Sequence, residues 1–349
     1  MKIEKIHQSK INQIDFDTLA FGKNFTDHMF ICQYKGGKWQ NPEIKPYAPI
    51  TLDPSASVLH YGQAIFEGMK AYKDDENIIW LFRPEENFNR LNKSAKRLQI
   101  PEFPASYFFE GLTQLLTLDH EWIKPGEGNS LYVRPFVFAN QATVQASASQ
   151  EYLFMIICAP VKSYYSGGEI NVLIAEEFSR AADGGVGYAK AAGNYAAQFY
   201  PTSLALKEGF QQIIWTDASS HEYMEEAGTM NIFFRINDTL ITAPVSDRIL
   251  DGVTRKSIIK LAEHQGIKVE ERPIKVDEIK KAHAQGSLQE IFGSGTAVVV
   301  LPINSFSHHG TTYKLPEAAP IALELKTKLV AIQYNKAEDP FGWRKEVTV

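Results

Sequence analysis

The stretch Ala182–Tyr195 constrains this chain more than any other, because it consists mainly of small residues around one lysine, Lys190. Tyrosines flank that lysine at positions 188 and 195. Glycine tolerates tight turns and alanine leaves room for a ring, so a flat ligand can approach the backbone here. An amine held among apolar groups loses its proton more readily than one in water, and the neutral amine attacks carbonyl carbons. The stretch predicts a Schiff-base lysine, with a lysine on a mobile surface loop as the alternative.

The composition limits the classes of protein to which the chain can belong. Its 349 residues are 44% hydrophobic and 22% charged, which is typical of a soluble globular protein with room for two domains. The net charge of -5 and the lack of a basic run argue against nucleic-acid binding. The charged amino terminus is unlike a signal peptide, and no apolar run is long enough to cross a membrane. We therefore expect a cytoplasmic protein with no membrane or nucleic-acid partner.

Apolar periodicity predicts helices and strands on both sides of one break in the pattern. Residues 161–178 begin with linker composition, so we predict a domain over 1–160, a linker over 161–178 and a second domain over 179–349. In the first domain we predict helices over 85–98 and 105–118, with Arg90 off the apolar face of the first helix, where it could meet solvent, a glutamate or an anion. Proline-rich residues 42–54 look too broken for regular structure.

Several polar residues lie where strands or helices begin. Tyr132 and Arg134 share a face of a predicted strand, so the arginine is either part of a cross-strand salt bridge or a receptor for a carboxylate. Gly252 precedes a predicted helix, which is either an ordinary cap or a phosphate site. The turn Gly293–Ala297 is either a simple tight turn or a second phosphate cradle. Residues 223–236 read as one strand that begins with two glutamates, Glu225 and Glu226, one of which must face the interior.

Metal motifs are incomplete in this sequence. His221–Glu225 resembles the zinc motif H-E-x-x-H, but a glutamate takes the place of the second histidine. His308 and His309 are expected to lie in a surface loop. We therefore predict no metal site.

The remaining polar groups match the needs of one cofactor, pyridoxal 5'-phosphate. It requires a lysine for the imine, a carboxylate on the ring nitrogen, a donor to the ring oxygen, and dipoles with an arginine for the phosphate. The chain offers one of each: Lys190, Glu226, Tyr195, Gly252–Thr254 with Thr296, and Arg90.

In these motifs the chain closely resembles the branched-chain amino acid aminotransferases, which are pyridoxal-phosphate enzymes of fold type IV. The matching motifs follow the family's order and cover nearly the whole chain. They are His60–Ala71, Tyr132–Pro135, Gly185–Tyr195, Glu226–Asn231, Leu250–Arg255 and Gly293–Ala297.

The resemblance implies an α/β (α+β) homodimer of two-domain subunits, with a smaller α/β amino-terminal domain and a larger carboxy-terminal pseudo-barrel domain. It implies that Lys190 forms the imine, Glu226 meets the ring nitrogen and Tyr195 donates to the ring oxygen. A larger set then binds the cofactor, mostly around its phosphate. These residues are Arg90, Thr229, Gly252, Val253, Thr254 and Thr296.

For the substrate, the resemblance implies an apolar side-chain pocket, an α-carboxylate site and a group for the distal carboxylate of glutamate. The pocket residues are Tyr61, Phe66, Tyr132 and Tyr164. Thr229 and Ala297 resemble the α-carboxylate site, and Arg134 resembles the group for the distal carboxylate.

The expected activity is transamination of L-leucine, L-isoleucine and L-valine with 2-oxoglutarate. Its partners are therefore small amino acids and 2-oxo acids. The alternatives are a D-amino acid aminotransferase or aminodeoxychorismate lyase of the same fold, and a non-catalytic protein that binds pyridoxal phosphate.

Overall fold

The computed structural model describes residues 1–162 and 170–348, which form eight α-helices and nineteen strands. The helices are α1 (Val58–Tyr61), α2 (Pro84–Arg97), α3 (Ala105–Leu118), α4 (Ala192–Ala196), α5 (Phe199–Lys207), α6 (Val253–His264), α7 (Val276–Ala284) and α8 (Pro320–Gln333). The strands are β1 (Lys2–Ile3), β2 (His28–Lys35), β3 (Lys38–Pro46), β4 (Ala64–Phe66), β5 (Met69–Lys73), β6 (Ile79–Phe82), β7 (Ser130–Ala139), β8 (Tyr152–Val161), β9 (Ile170–Ile174), β10 (Gln212–Thr216), β11 (Tyr223–Ala227), β12 (Met230–Ile236), β13 (Thr239–Thr242), β14 (Lys268–Glu271), β15 (Ile274–Lys275), β16 (Leu288–Gly295), β17 (Val299–His308), β18 (Thr311–Lys314) and β19 (Arg344–Val347).

The described residues group into two compact units. The first contains the chain up to residue 162, the short segment Ala189–Gly193 and the chain from Ala331 onward. The second contains the chain from residue 170 to Tyr188 and the segment Asn194–Val330. The division into domains at 161–178 stays a prediction.

A nine-stranded sheet forms the frame of the first unit. Its order is β1-β3-β2-β8-β7-β5-β6-β19, and β4 pairs with β7 beside this path. The pairings are antiparallel except that of β1 with β3. Strand β8 is almost wholly apolar, lies between β2 and β7 and is buried along most of its length. Continuous apolar runs of this kind are typical of strands covered on both faces.

Helix α3 covers this sheet at β2 and β3, and aromatic rings fill the space beneath it. Phe103 stacks on Phe154 with 3.7 Å between the ring centroids. Phe30 and Phe108 meet the Phe154 ring at 5.8 and 6.1 Å with their planes steeply inclined. Gly111 lets α3 approach, because a Cβ at that position would lie 2.5 Å from the Phe30 ring.

The proline-rich passage begins as regular structure, contrary to the prediction, because β3 continues to Pro46. The β2–β3 register shifts between Ile31 and Gln33, and Asn41 has a φ of 54°. Asn41 and Pro42 therefore lie within a β-bulge, where the missing N–H of the proline costs no ladder hydrogen bond.

The predicted helix over 85–98 is α2, and its ends follow the expected chemistry. Pro84 occupies the first turn with Glu85 and Glu86, and Lys96 and Arg97 occupy the last turn. These charges oppose the ends of the helix dipole. Of the surroundings left open for Arg90, the structure excludes solvent, since this residue is only 8% exposed, and shows a glutamate, Glu67.

The second unit contains a ten-stranded sheet that closes on itself. Its order is β14-β13-β12-β16-β17-β9-β10-β11-β15, with β18 beside β17, and β11 also pairs with β12. The last pairing completes a ring of six strands. This ring is the barrel expected for the carboxy-terminal part of the chain. The strands that close it are β12, β16, β17, β9, β10 and β11.

The segment predicted as one strand over 223–236 is a hairpin, β11 and β12. Gly228 forms the turn with a φ of 58°, a conformation that glycine adopts without strain. Both glutamates are buried, at 3% exposure for Glu225 and 2% for Glu226. The sequence predicted that one of these glutamates faces the interior, and in the structure both are buried.

None of the described helices combines the length and the hydropathy that a bilayer crossing requires.

Replacing Phe154 by alanine should lower the free energy of unfolding by about 3–5 kcal/mol, because the ring is fully buried among three other aromatic rings. Urea denaturation of the purified protein measures this loss. Phe199→Ala is the matched control, because this ring is 70% exposed and its loss should change stability by less than about 0.5 kcal/mol. Equal losses in the two variants would contradict the assigned core.

Candidate active site

Lys190 lies in the first unit and is fixed through its backbone. Its N–H donates to the Ser94 hydroxyl of α2 at 2.9 Å, and its carbonyl accepts the Phe66 N–H of β4 at 3.1 Å. The next residue, Ala191, makes a β-bridge with Ile65. Lys190 is half-buried. The alternative of a lysine on a mobile surface loop is therefore wrong.

Two cationic groups lie close to the Phe66 ring. Lys190 Nζ lies 4.6 Å from the ring centroid, and the Arg134 guanidinium carbon lies 4.5 Å from it. Arg134 also donates to the Tyr132 hydroxyl at 2.9 Å. An amine, a guanidinium and two aromatic rings thus meet at the strands β4 and β7.

Arg134 makes no cross-strand salt bridge with any residue in the described part of the chain. Its Nε is buried and has no hydrogen-bond partner among those residues. Of the two alternatives for this arginine, the salt bridge is therefore excluded within the described chain.

Gly68 provides the space in which the Tyr132 side chain lies. A Cβ at position 68 would lie 2.2 Å from the Tyr132 hydroxyl oxygen. The ring of Tyr132 also meets Phe21 edge-on at 5.0 Å. Because Gly68 has no side chain, the Tyr132 hydroxyl can lie at the position where it accepts the Arg134 hydrogen bond.

Arg90 and Glu67 form a buried ion pair. Arg90 Nε and Nη2 donate to the two carboxylate oxygens at 2.7 and 2.9 Å, and the Asn87 amide adds a bond at 2.8 Å. Burial alone would raise the pKa of Glu67, but the charges of Arg90 and Lys190 with these hydrogen bonds hold it below its ordinary value. Two nitrogens of Arg90 thus bind Glu67. The contact of Arg90 with a phosphate stays a prediction.

In the second unit, Glu226 is held by groups from three segments. Arg180 Nε lies 2.9 Å from one carboxylate oxygen in an ion pair whose partners are both 3% exposed. The Leu250 N–H donates to the other oxygen at 2.7 Å, and the Asn231 amide donates to it at 3.2 Å. This network keeps a carboxylate at a defined place inside the protein.

The neighbouring Glu225 has a different environment. Burial raises its pKa to about 7, although the paired Arg248 opposes the rise. Arg248 also pairs with Asp183, and the second carboxylate oxygen of Glu225 has no partner among the described residues. Two adjacent glutamates on β11 therefore differ in their counter-charges.

The turns predicted to bind phosphate and α-carboxylate lie at one end of the barrel. Asn231 pairs with Ser294, so Thr229 before β12 and the turn after β16 are neighbours in the sheet. That turn contains Thr296 and Ala297, which are half-buried, whereas Thr229 is exposed.

The amino terminus of α6 reaches the same residue of β12. Gly252 caps the helix, and a Cβ there would lie 2.0 Å from the Asn231 side-chain oxygen. Val253 and Thr254 form the first turn, which no described side chain caps. The backbone N–H groups of such a turn carry the positive end of the helix dipole.

The tyrosines predicted to bind cofactor or substrate lie in different surroundings. Tyr195 is half-buried on α4. Tyr61 is 48% exposed, and its hydroxyl donates to the Val144 carbonyl rather than to the groups around Phe66. Tyr164 lies outside the described residues.

Comparison with known proteins relates this chain to one group of enzymes. The model of the family described as amino-transferase class IV matches residues 64–306. Branched-chain-amino-acid transaminase 1 of Bacillus subtilis (strain 168) is 44% identical over 339 residues, which are 95% of each chain.

The chain belongs to the class IV aminotransferases.

Within this family it is a branched-chain-amino-acid transaminase, as the motifs predicted. The fold agrees with solved structures of such enzymes. The branched-chain aminotransferase of Thermoproteus uzoniensis, crystallised with norvaline, aligns with a TM-score of 0.77 over 92% of this chain and 100% of that one, at 23% identity. The branched-chain amino acid aminotransferase of Thermobaculum terrenum in its PLP-form aligns at 0.74 over 92% and 98%, at 21% identity. The predicted two-domain fold type IV is confirmed.

Sequence reasoning missed three residues that position the groups of this aminotransferase. Glu67 holds Arg90, Ser94 holds the backbone of Lys190, and Arg180 holds Glu226. The sequence did contain a signal for Glu67, because a charged residue between the apolar Phe66 and Met69 is expected to be buried with a partner of opposite charge. No local pattern indicates Ser94 or Arg180, because their partners are distant in the sequence.

Replacing Arg180 by glutamine should lower the free energy of unfolding by about 3–5 kcal/mol, because Glu226 would stay buried without its counter-charge. Chemical denaturation measures the loss. Lys328→Gln is the control, because it removes an exposed pair with Glu324 and should cost less than about 0.5 kcal/mol. A loss in Arg180→Gln as small as in the control would refute the buried ion pair.

Proposed function

We propose that this transaminase transfers the amino group of L-leucine, L-isoleucine and L-valine to 2-oxoglutarate, with pyridoxal 5'-phosphate as its cofactor. The products are branched 2-oxo acids and L-glutamate. The observation that carries the proposal is the Phe66 ring, which lies within 4.6 Å of Lys190 Nζ and 4.5 Å of the Arg134 guanidinium carbon. A reacting amine, an apolar surface and a receptor for a carboxylate are therefore neighbours.

Each of the two units contains side chains or backbone groups that suit one part of pyridoxal phosphate. In the first unit, Lys190 is a fixed amine with its side chain beside an aromatic ring. In the second unit, Glu226 is a fixed carboxylate for a ring N–H, and the first turn of α6 presents backbone N–H groups suited to phosphate. Pyridoxal phosphate, when bound, withdraws electrons from the substrate Cα. We propose that Tyr195 donates to the ring oxygen.

Lys190 has two roles in this proposal. Its amine would hold the cofactor, and as a free base it would accept the proton of the substrate Cα and later give that proton back. The Ser94 and Phe66 hydrogen bonds hold its backbone, so only the side chain has to move. Such fixed placement reduces the entropy lost when the reacting atoms meet.

The groups around Phe66 explain how one site accepts two unlike substrates. Rings of Phe66 and Tyr132 bury a branched alkyl group, which stabilises a leucine-sized side chain by about 1.5–3 kcal/mol. The Arg134 guanidinium offers a charge-assisted hydrogen bond when glutamate or 2-oxoglutarate takes the same space. Its buried Nε, which has no partner in the described chain, is suited to that bond.

The remaining assignments follow the family. We propose that Arg90, Gly252, Val253, Thr254 and Thr296 bind the phosphate. Thr229 and Ala297 bind the α-carboxylate, with Thr229 also beside the cofactor, and Tyr61 and Tyr164 complete the side-chain pocket. We further propose that the enzyme is a homodimer and acts in the cytoplasm.

Lys190→Ala should abolish transamination between L-leucine and 2-oxoglutarate, because it removes the amine that lies 4.6 Å from the Phe66 ring and that we propose as the proton carrier. A coupled assay of glutamate formation measures the rate, and visible absorption of the protein reports separately whether the cofactor binds. Lys328→Ala, on an exposed helix face, is the control and should keep the rate of the unchanged enzyme. Substantial activity in Lys190→Ala would rule out the proposed role.

Arg134→Ala should raise the KM for glutamate and 2-oxoglutarate roughly 10- to 100-fold, the cost of one hydrogen bond to a charged group, and that for leucine less than about threefold. Steady-state kinetics with each substrate measure the difference. Arg272→Ala removes a guanidinium that is paired with Glu270 and Glu278, and it should change neither KM. Equal increases for leucine and glutamate in Arg134→Ala would mean that the arginine does not read the distal carboxylate.

A further inference from the structure

The barrel brings polar side chains together at the end opposite the Thr296–Ala297 turn. Strand β17 starts just after that turn and ends at His308, nine residues beyond Val299, which is about 30 Å along an extended strand. Strand β9 runs parallel to β17, and Glu176 lies two residues after its last residue, Ile174. Glu176 and His308 therefore lie at the same end of neighbouring strands.

A tight turn fixes the next residue, His309. The register pairs His308 with Thr311, so His309 and Gly310 form a two-residue hairpin loop between β17 and β18. Their φ angles are 47° and 71°, the combination that such loops require. The prediction that the two histidines decorate a surface loop was therefore wrong for His308, which ends a strand and is 9% exposed.

Glu176 binds both the backbone and the side chain of His309. One carboxylate oxygen accepts the His309 N–H at 2.6 Å, and the other lies 2.8 Å from Nδ1 of the ring. Partial burial would raise the pKa of Glu176, but the hydrogen bonds and charge of His309 hold it below its ordinary value. The carboxylate is thus ionised at neutral pH and aimed at the histidines.

His308 has a nitrogen that the described protein leaves without a partner. Its Nδ1 is buried and accepts or donates no hydrogen bond within that part of the chain. Burial lowers the pKa of the His308 ring, and the neighbouring His309 lowers it further. A buried polar atom of this kind is costly unless a bound group satisfies it.

The three side chains can converge on one point. The centroids of the two imidazole rings are 4.0 Å apart. One nitrogen from each ring and one oxygen of Glu176 all lie within 4.8 Å of one another. Ligands of a tetrahedral metal at about 2.1 Å lie about 3.4 Å apart, so small side-chain rotations would complete the set.

The surrounding charges permit a cation at this place. Two lysines line the same cavity, but each is paired with its own carboxylate. Lys275 meets Glu222 at 2.9 Å, and Lys280 meets Asp277 at 3.3 Å. Glu176 then adds negative charge beside the two imidazole rings.

We propose that Glu176, His308 and His309 bind a divalent transition-metal ion, for which Zn²⁺ is the expected choice. Imidazole and carboxylate ligands suit Zn²⁺, and three protein ligands leave a fourth position for water. The ion takes the place of the hydrogen bond between His309 Nδ1 and Glu176, the ring binds it as the neutral tautomer with its proton on Nε2, and any displaced proton passes to water. It joins the end of β9 to the β17–β18 hairpin, away from the turn assigned to phosphate.

Equilibrium dialysis of the cofactor-loaded enzyme against Zn²⁺ tests the site. We expect one Zn²⁺ per chain, and a Tm that rises with Zn²⁺ because binding to the folded state alone stabilises it. His309→Ala and Glu176→Gln should each weaken binding at least about tenfold and remove the Tm shift. Both side chains are partly exposed, so these variants are expected to fold, whereas His308→Ala opens a buried position.

His7→Ala is the matched control, because it removes an exposed histidine of the first unit and should bind Zn²⁺ like the unchanged enzyme. Transamination by His309→Ala without added metal should equal that of the unchanged enzyme, which separates this proposal from the proposed function. Binding of less than one Zn²⁺ per chain, or equal affinity in His309→Ala, overturns the site.

Discussion

Burial of the Glu226 carboxylate imposes the strongest constraint on the second unit. Removing such a charge from water costs several kcal/mol unless an opposite charge and hydrogen bonds compensate for it. Compensation here comes from Arg180, from Asn231 on β12 and from the Leu250 N–H just before α6. Three segments that are distant in the sequence must therefore be in place before this carboxylate can be buried.

The same guanidinium also orders the stretch of small residues that precedes Lys190. Arg180 donates to the carbonyls of Gly187 and Arg248 at 3.0 and 2.7 Å. A Cβ at Gly187 would lie 2.7 Å from the Arg248 carbonyl oxygen, so only glycine permits this approach. The small side chains that suggested room for a flat ligand thus serve packing at this position as well. One arginine links the conformation of the glycine-rich stretch to the position of the acid.

Prediction from sequence succeeded where the signal was local or repeated along the chain. Helix α3 was expected over the residues that form it, and the cap at Gly252 precedes α6. The order of six motifs identified the family, which the comparisons confirmed. Tyr132 and Arg134 were expected on one strand face, and their side chains are hydrogen-bonded.

Prediction failed where the deciding contact is distant in the sequence. For Arg90 the sequence left solvent, a glutamate or an anion open, because the helical pattern does not show Glu67, which lies 23 residues earlier and binds it. The contact of His309 with Glu176 was not predicted, because the two residues are 133 positions apart in the sequence. The hairpin of β11 and β12 was missed because its apolar strands read through Gly228 as one run.

The first unit is discontinuous along the chain, and this determines how the protein can be divided. Ala189–Gly193 and the last residues from Ala331 belong to it, and β19 pairs with β6 as the final strand of its sheet. A fragment that stops at residue 162 would lack both Lys190 and the edge strand, and would expose the unpaired backbone of β6 to association with other chains. A single cut therefore cannot release either half intact, so proteolysis or gene truncation is a poor route to isolated halves. Circular permutation, which preserves all three segments, is the more suitable way to test their independence.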